Sequence, residues 1–244
     1  MKKNISASLE AKLKSSREMV AFVKDYDLYN PTSEELKLQN YETFVNLVDS
    51  DITPFKDAAA AFMQAREKIN TEVDKMVKIS INVRSEILEI KGKNSTEYRQ
   101  TDNIVKLLTG ENIQEHAKMK KEIIKNLKEG EPVPVFISVS MLDHKSRLGN
   151  FRSLIALVKT FGFYGPADEE FSITSLEAQE AAVSDAIAGS AQKESEFLAQ
   201  RSKILRYFNE KGGLKDRAQR AKVHVKRKYG RKSPEYKALT RKKY

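Results

Sequence analysis

Apolar residues recur mostly every three or four positions through the first 28 residues, at Ile5, Leu9, Leu13, Val20 and Val23. This spacing forms one apolar face of an amphipathic helix. Pro31 ends the pattern, because proline pushes the residue before it out of the α region. The next residues, Thr-Ser-Glu-Glu, are typical of a capping box with Glu35 at the third helical position. They predict a second helix that runs toward Asp49.

A third predicted helix begins near Pro54 and runs to about Ile90. Gly92 follows it and suits the left-handed conformation that ends many helices. Ser95 is then typical of the N-cap of the next helix. Ser233 has the same character near the end of the chain, and the proline after it is favoured at a first helical position.

Helical spacing covers most of the remaining chain, and it predicts helices at 96–128 with a break at Gly110, at 141–162, at 171–210 and at 214–229. The last two are separated by a Gly-Gly pair at 212–213. Two prolines in residues 129–140 favour extended chain there, and residues 133–139 alone have β character. The pattern therefore predicts an all-α fold with one short extended linker.

One stretch of sequence occurs twice, 135 residues apart, at residues 15–38 and 150–173. Eight of the 24 aligned positions are identical, and seven of the other sixteen exchange one apolar residue for another. The correspondence reappears at Gly92 and Gly230, after three extra residues in the second copy. A self-similar period indicates one structural unit built twice. We therefore predict two tandem helical repeats that form a bundle and superpose on each other.

The repeat also sets the predicted domain boundaries. A first helical repeat covers residues 1–128, and a proline-containing linker covers 129–140. The second repeat covers 141–237, and a basic tail covers 238–244. Each repeat has few apolar helices of its own, so we expect the two repeats to share a core.

The composition limits the compartment and the chemistry. The 244 residues include no cysteine, which excludes disulfides, a thiolate nucleophile and a cysteine-ligated metal. No window approaches 18 continuous apolar residues, and the N-terminal Met-Lys-Lys is followed by polar residues rather than by the apolar core of a signal peptide. We therefore predict a cytoplasmic protein without a transmembrane segment, or one associated with a virion.

No pattern in the sequence predicts catalysis. The three histidines lack the spacing of helical metal ligands, and neither a phosphate-binding glycine loop nor a Gly-x-Ser-x-Gly motif occurs. The acidic pairs Glu34-Glu35 and Glu169-Glu170 repeat, but adjacent helical residues point in different directions, and the helix macrodipole favours negative charge in a first turn. The sequence therefore predicts no enzyme, no cofactor and no metal site.

Two further repeated features each have two interpretations. Tyr29 and Tyr164 precede the corner prolines, where a tyrosine either stacks on a ligand or, as we predict, anchors the corner by packing and a backbone hydrogen bond. The second feature is a pair of cations seven residues apart on one helix face. They form either a solvated face or two equivalent anion contacts. These possible anion-binding cations are Arg17 with Lys24 and Arg152 with Lys159.

The net charge of +10 is concentrated at one end of the chain. Residues 214–244 hold thirteen Lys/Arg and two acids, so they carry +11, and the other 213 residues sum to about −1. The corresponding part of the first copy is far less basic, so the repeat itself does not require this charge. Dense Lys/Arg attracts phosphates, and the interleaved Tyr229, Tyr236 and Tyr244 could stack on bases. The predicted polyanion-binding residues are Lys222, Lys226, Arg227, Lys228, Arg231, Lys232, Arg241, Lys242 and Lys243.

Three segments together resemble a group of uncharacterised bacterial helical proteins. They are residues 137–155 (ISVSMLDHKSRLGNFRSLI), 164–171 (YGPADEEF) and 233–237 (SPEYK). The resemblance implies a two-repeat helical fold with Tyr-x-Pro corners and Gly-x-x-Ser-Pro-x-Tyr turns. It implies no activity and no site residues.

These observations lead to two hypotheses of function. The first is a non-enzymatic helical scaffold or binding protein whose basic C-terminal segment contacts RNA, DNA or another polyanion. The alternative is a structural protein that self-assembles as a homo-oligomer, or docks in a multi-subunit or virion assembly, through its helical faces. Salt separates the two, because polyanion binding weakens steeply with salt and apolar assembly does not.

Overall fold

A computed structural model describes residues 5–111, 118–119, 121–122, 125 and 142–242. Those residues form helices and connecting turns without a strand, which confirms the predicted all-α helical bundle. The predicted extended linker lies outside the described residues. The α-helices are α1 Ile5–Lys24, α2 Leu38–Lys91, α3 Thr96–Thr109, α4 His144–Lys159, α5 Ile173–Asn209, α6 Leu214–Tyr229 and α7 Pro234–Thr240, and two 3-10 turns lie at Glu34–Leu36 and Glu169–Phe171.

The chain forms two compact units, and each is made of segments distant in sequence. The first unit comprises Met1–Phe62 and Lys193–Tyr244, and the second comprises Met63–Gln192. Each unit therefore joins the first part of one sequence copy to the last part of the other. The predicted domains follow the copies instead. The predicted domain boundaries and the predicted superposition of the two sequence copies stay predictions.

Each unit has its own apolar core. The core of the first unit is formed by α1, the first half of α2, the last part of α5, α6 and α7. That of the second unit is formed by the rest of α2 and α5 with α3 and α4. Among the fully buried side chains are Met19, Tyr41, Phe208, Leu214 and Leu239 in the first unit, and Met76, Ile87, Leu108, Phe151, Leu154 and Leu176 in the second.

Pro54 lies inside α2, so the prediction of separate second and third helices is wrong. Proline removes one helical hydrogen bond, to the carbonyl group of Ser50. Both residues are exposed, so water can bind that carbonyl oxygen. Ile52 and Phe55 are buried on either side of the proline, and their packing holds the helix together.

A tyrosine closes the chain reversal before each long helix. The Tyr29 hydroxyl donates to the Leu36 carbonyl oxygen at 3.0 Å, and the Tyr164 hydroxyl donates to the Phe171 carbonyl oxygen at 2.8 Å. Burial raises the pKa of both phenols to about 12. The predicted role as corner anchors is confirmed. The predicted capping box, with Glu35 at the third position of an α-helix, is wrong, because a 3-10 turn at Glu34–Leu36 lies there and its N-cap, Ser33, makes no capping hydrogen bond.

The predicted helix caps are confirmed. The Ser95 hydroxyl accepts from the Tyr98 amide at 3.1 Å, and the Ser233 hydroxyl accepts from the Tyr236 amide at the same distance. Gly92 has φ +77°, the left-handed conformation that favours glycine.

We expect Ser95→Ala and Ser233→Ala each to lower the free energy of unfolding by about 0.5–2 kcal/mol, because each leaves one helical amide without its side-chain acceptor. Chemical denaturation measures this effect. Ser85→Ala is the control, since that hydroxyl donates to a carbonyl oxygen within a helix and caps nothing. Equal stability of all three variants would contradict the capping role.

The Gly-Gly pair separates α5 from α6, as predicted. Gly212 has φ +79°, and a Cβ atom on Gly213 would lie 2.7 Å from the Tyr207 carbonyl oxygen. The three extra residues of the second copy fall between Ile204 and Gly230, and the helix break lies in this interval. The break sets the direction of α6, which carries seven of the thirteen Lys/Arg in residues 214–244.

Candidate polyanion-binding surface

The excess positive charge lies at the end of α6 and in the turn that follows it. Helix α6 buries Leu214, Ala218, Ala221 and Val225 against the core of the first unit, so its other face is turned to solvent. Five exposed cations form what we call the basic surface: Lys226, Arg227 and Lys228 in the last turn of α6, and Arg231 and Lys232 before α7. Cations in a last turn also interact favourably with the helix macrodipole.

Within the described part of the chain, none of these five cations forms a salt bridge with a carboxylate. The nearest polar partner is the Nδ1 atom of His224, 3.5 Å from a terminal nitrogen of Arg227. By contrast, Arg220, nearer the start of α6, pairs with Glu35 and with Asp216. The basic surface therefore combines charge, exposure and the lack of an internal counter-charge.

Two of the predicted binding residues make contacts within the first unit, and their role in polyanion binding stays a prediction. The Lys222 ammonium group donates to the Lys242 carbonyl oxygen at 2.8 Å, and burial lowers the pKa of Lys222. Lys242 pairs with Glu18 of α1, and its Nζ atom lies 5.2 Å from the centre of the Phe22 ring. Both lysines thus fasten the chain end to the first unit. Arg241 is exposed, and Lys243 lies outside the described residues.

Arg217 is the buried cation of α6 and lies beneath the helix rather than on the basic surface. Its guanidinium group donates to the carbonyl oxygens of Gly212 at 2.7 Å and of Glu35 at 2.6 Å. It also lies 4.1 Å from the centre of the Phe44 ring. Burial lowers its pKa. These contacts connect the break before α6 to the corner before α2.

The four repeated cations are placed differently from the basic surface. Arg17 pairs with Asp49, and Arg152 and Lys159 bind Glu180 and Glu177 at 2.6 and 2.5 Å. Lys24 is exposed. Three of the four thus have carboxylates of a neighbouring helix as partners, which favours the solvated-face interpretation. Their role as anion contacts stays a prediction.

No cluster of metal-binding side chains is found in the residues that the structure describes. No three His, Asp or Glu side chains converge there as metal ligands. Of the repeated acidic pairs, Glu35 pairs with Arg220, which lowers the pKa of that carboxyl group, and Glu34 pairs with Lys37.

Through the same described ranges, no helix is both long and apolar enough to cross a membrane.

No family model, curated protein or solved structure matches this chain. The likeness to two-repeat bacterial helical proteins stays a prediction.

His224 is a residue that the sequence analysis did not connect with the basic surface. It is buried below Arg227 and Lys228, with the edge of its ring against Tyr29 at 5.3 Å between ring centres. Burial lowers its pKa, and the two cations lower it further, whereas a hydrogen bond with the Leu28 backbone opposes them. Its position three residues after Ala221, on the apolar face of α6, was the available signal for burial.

We expect the parent protein to lose stability relative to His224→Gln as the pH falls from 7 to 5. The folded pKa lies below that of the unfolded chain, so the unfolded chain takes up the proton first, from about pH 6.5 downward. Melting curves of both proteins at half-unit pH steps measure the effect. The carboxyl groups whose pKa the fold lowers are present in both proteins, so their contributions cancel when the two free energies of unfolding are subtracted. The same dependence of stability on pH in both proteins would contradict this expectation.

Proposed function

We propose that this protein is a non-enzymatic helical binding protein whose basic surface contacts a polyanion, RNA or DNA in the first place. The observation that carries the proposal is the group of five exposed cations without a carboxylate partner among the described residues. Lysine and arginine on such a surface release condensed counterions when they bind phosphates, which favours association.

The surface is built on ordered elements, which supports a binding role over that of a free tail. Ser233 caps α7, and Leu239 is fully buried in the core of the first unit. The hydrogen bond of Lys222 with Lys242 holds the end of α7 to α6. The cations between these points are therefore presented at fixed positions, and a fixed array loses less conformational freedom on binding.

We also propose that the two sequence copies are tandem repeats of one structural unit. The equivalent tyrosine anchors and serine caps support this proposal. An experimental structure tests it through superposition of residues 15–99 on 150–237. Unrelated helix directions in the two copies would overturn it.

The alternative is assembly through helical faces, in a homo-oligomer, a multi-subunit complex or a virion. Large apolar side chains are exposed, with Met63 at 71% and Val223 at 65%. Single exposed apolar residues are common on protein surfaces, so they do not favour this alternative.

A salt titration tests the proposed function. We expect the full chain to bind a fluorescently labelled 24-base-pair DNA duplex, with the logarithm of affinity falling linearly as the logarithm of salt concentration rises. Three to five phosphate contacts predict a slope of about −3 to −4.5. Sedimentation of the free protein under the same conditions measures its self-association. Salt-independent self-association without DNA binding would favour assembly.

A further inference from the structure

We propose that the basic surface takes double-stranded nucleic acid in preference to single strands, by contacts with phosphates alone. This inference rests on the proposed function and adds the class of ligand. It comes from the aromatic rings next to the cations. The sequence suggests that these rings could stack on bases, whereas the structure uses them for internal packing.

Tyr229 ends α6 between the two groups of cations, and both its hydroxyl group and its ring have internal partners. The hydroxyl oxygen accepts from the Leu28 amide at 2.7 Å. The ring lies against Tyr26, with 5.6 Å between ring centres. Tyr26 is held in turn, because its own hydroxyl donates to the Glu235 carbonyl oxygen at 3.1 Å. Tyr229 thus fastens the corner after α1 to the end of α6.

Tyr236 is the other tyrosine in residues 214–242. It is partly buried and packs against the core of the first unit, as do Tyr26 and Tyr29. Its backbone amide is the donor to the Ser233 cap, which fixes its place in the first turn of α7. Tyr244 lies outside the described residues. In the described part of this segment, each tyrosine is therefore part of the packing.

Among these described residues no tyrosine ring is free to stack on a base, and this determines which kind of nucleic acid should bind with the higher affinity. Proteins that hold single strands gain affinity for each base that stacks on an aromatic ring. A surface of cations without such rings gains affinity only from its contacts with phosphates. Duplex DNA presents one charge per about 1.7 Å of axis, and each neutralised phosphate contributes more on a duplex than on a single strand.

The spacing of the cations fits this mode. Lys226 to Lys228 span about 3 Å along the helix axis at 1.5 Å per residue, and Arg231 and Lys232 follow within one turn. Because a duplex presents the phosphates of two strands at high charge density, cations spread around the exposed side of α6 and the following turn gain more from it than from a single strand. Such contacts carry no sequence information, so we expect little sequence preference.

The test compares four labelled 24-residue probes with the unmodified full chain at 50, 100 and 200 mM salt. The probes are a mixed-sequence duplex, one strand of that duplex alone, an oligo-dT strand, and a strand of abasic sites that keeps the phosphates and lacks the bases. We expect the duplex to bind at least about tenfold more tightly than any single strand. We expect the abasic strand and oligo-dT to bind within about twofold of each other, since no base stacks.

Two results would overturn the inference while the proposed function stands. One is tighter binding of the single strands than of the duplex. The other is an affinity for the abasic strand that is tenfold or more below that for oligo-dT, which would show that bases stack on the protein. Failure of all four probes to bind would instead overturn the proposed function itself. The alternative of assembly through helical faces would then lead.

Discussion

Replacing Lys226, Arg227, Lys228, Arg231 and Lys232 with glutamine will lower the affinity for duplex DNA by about 100-fold or more at 50 mM salt. Each neutralised phosphate contributes roughly tenfold to affinity at this salt concentration relative to 1 M, so removing the cations from two to three phosphates is enough. The salt slope should shrink by about 0.9 for each phosphate that is no longer neutralised. Glutamine is a good helix former, so α6 should remain intact. Fluorescence anisotropy across a salt series measures both quantities.

A matched variant separates this surface from net charge alone. Glutamine at five other exposed cations removes the same total charge: Lys68, Lys78, Lys93, Arg99 and Lys145. We expect this variant to keep the parent's salt slope and to bind less than about threefold more weakly, since none of these cations belongs to the basic surface that contacts the phosphates. Equal affinities of the two variants would show that only net charge matters, and the basic surface would no longer be the site. Circular dichroism confirms that both variants are folded.

Arg217→Ala will lower the free energy of unfolding by about 2–5 kcal/mol. The substitution removes two hydrogen bonds from a charged donor, to the carbonyl oxygens of Gly212 and Glu35, and hydrogen bonds of charged groups contribute about 1.5–3 kcal/mol each. It also removes the interaction of the guanidinium group with the Phe44 ring. Urea denaturation of the whole chain measures the change.

Arg220→Ala is the control, because it removes a cation three residues further along the same helix. The side chain of Arg220 is 35% exposed and pairs with Glu35 and Asp216, and exposed ion pairs contribute about 0–1 kcal/mol. Arg217 is only 9% exposed. If the two variants are equally stable, the hydrogen bonds of Arg217 to the backbone do not hold the break before α6 in place.

The local structure of this protein could be predicted from its sequence, because the signals act over a few residues. Ser95 and Ser233 bond to amides three residues on, and Gly92 needs only its own φ angle. Gly212-Gly213 ends α5 in the same way. The all-α class follows from helical periodicity, which each segment shows by itself. The concentration of charge at the C-terminal end is likewise a property of composition.

The continuity of helix α2 through Pro54 could not be predicted from the neighbouring sequence, because the packing of the buried Ile52 and Phe55 holds the helix together there. Packing likewise overrides the capping box at Ser33, where a tyrosine anchor fixes a 3-10 turn instead. In both places a local signal was weaker than tertiary contacts.

The candidate site shows the same division between sequence and structure. The sequence by itself determined that the C-terminal segment is strongly basic. It could not tell which cations are available, because that depends on partners far away in the chain, such as Glu18 for Lys242 and Leu28 for Tyr229. Only the tertiary structure decided that five cations remain exposed without a described carboxylate partner and that the tyrosines between them pack inward. The physical reason is that charge belongs to each residue, whereas burial and pairing depend on the fold around it.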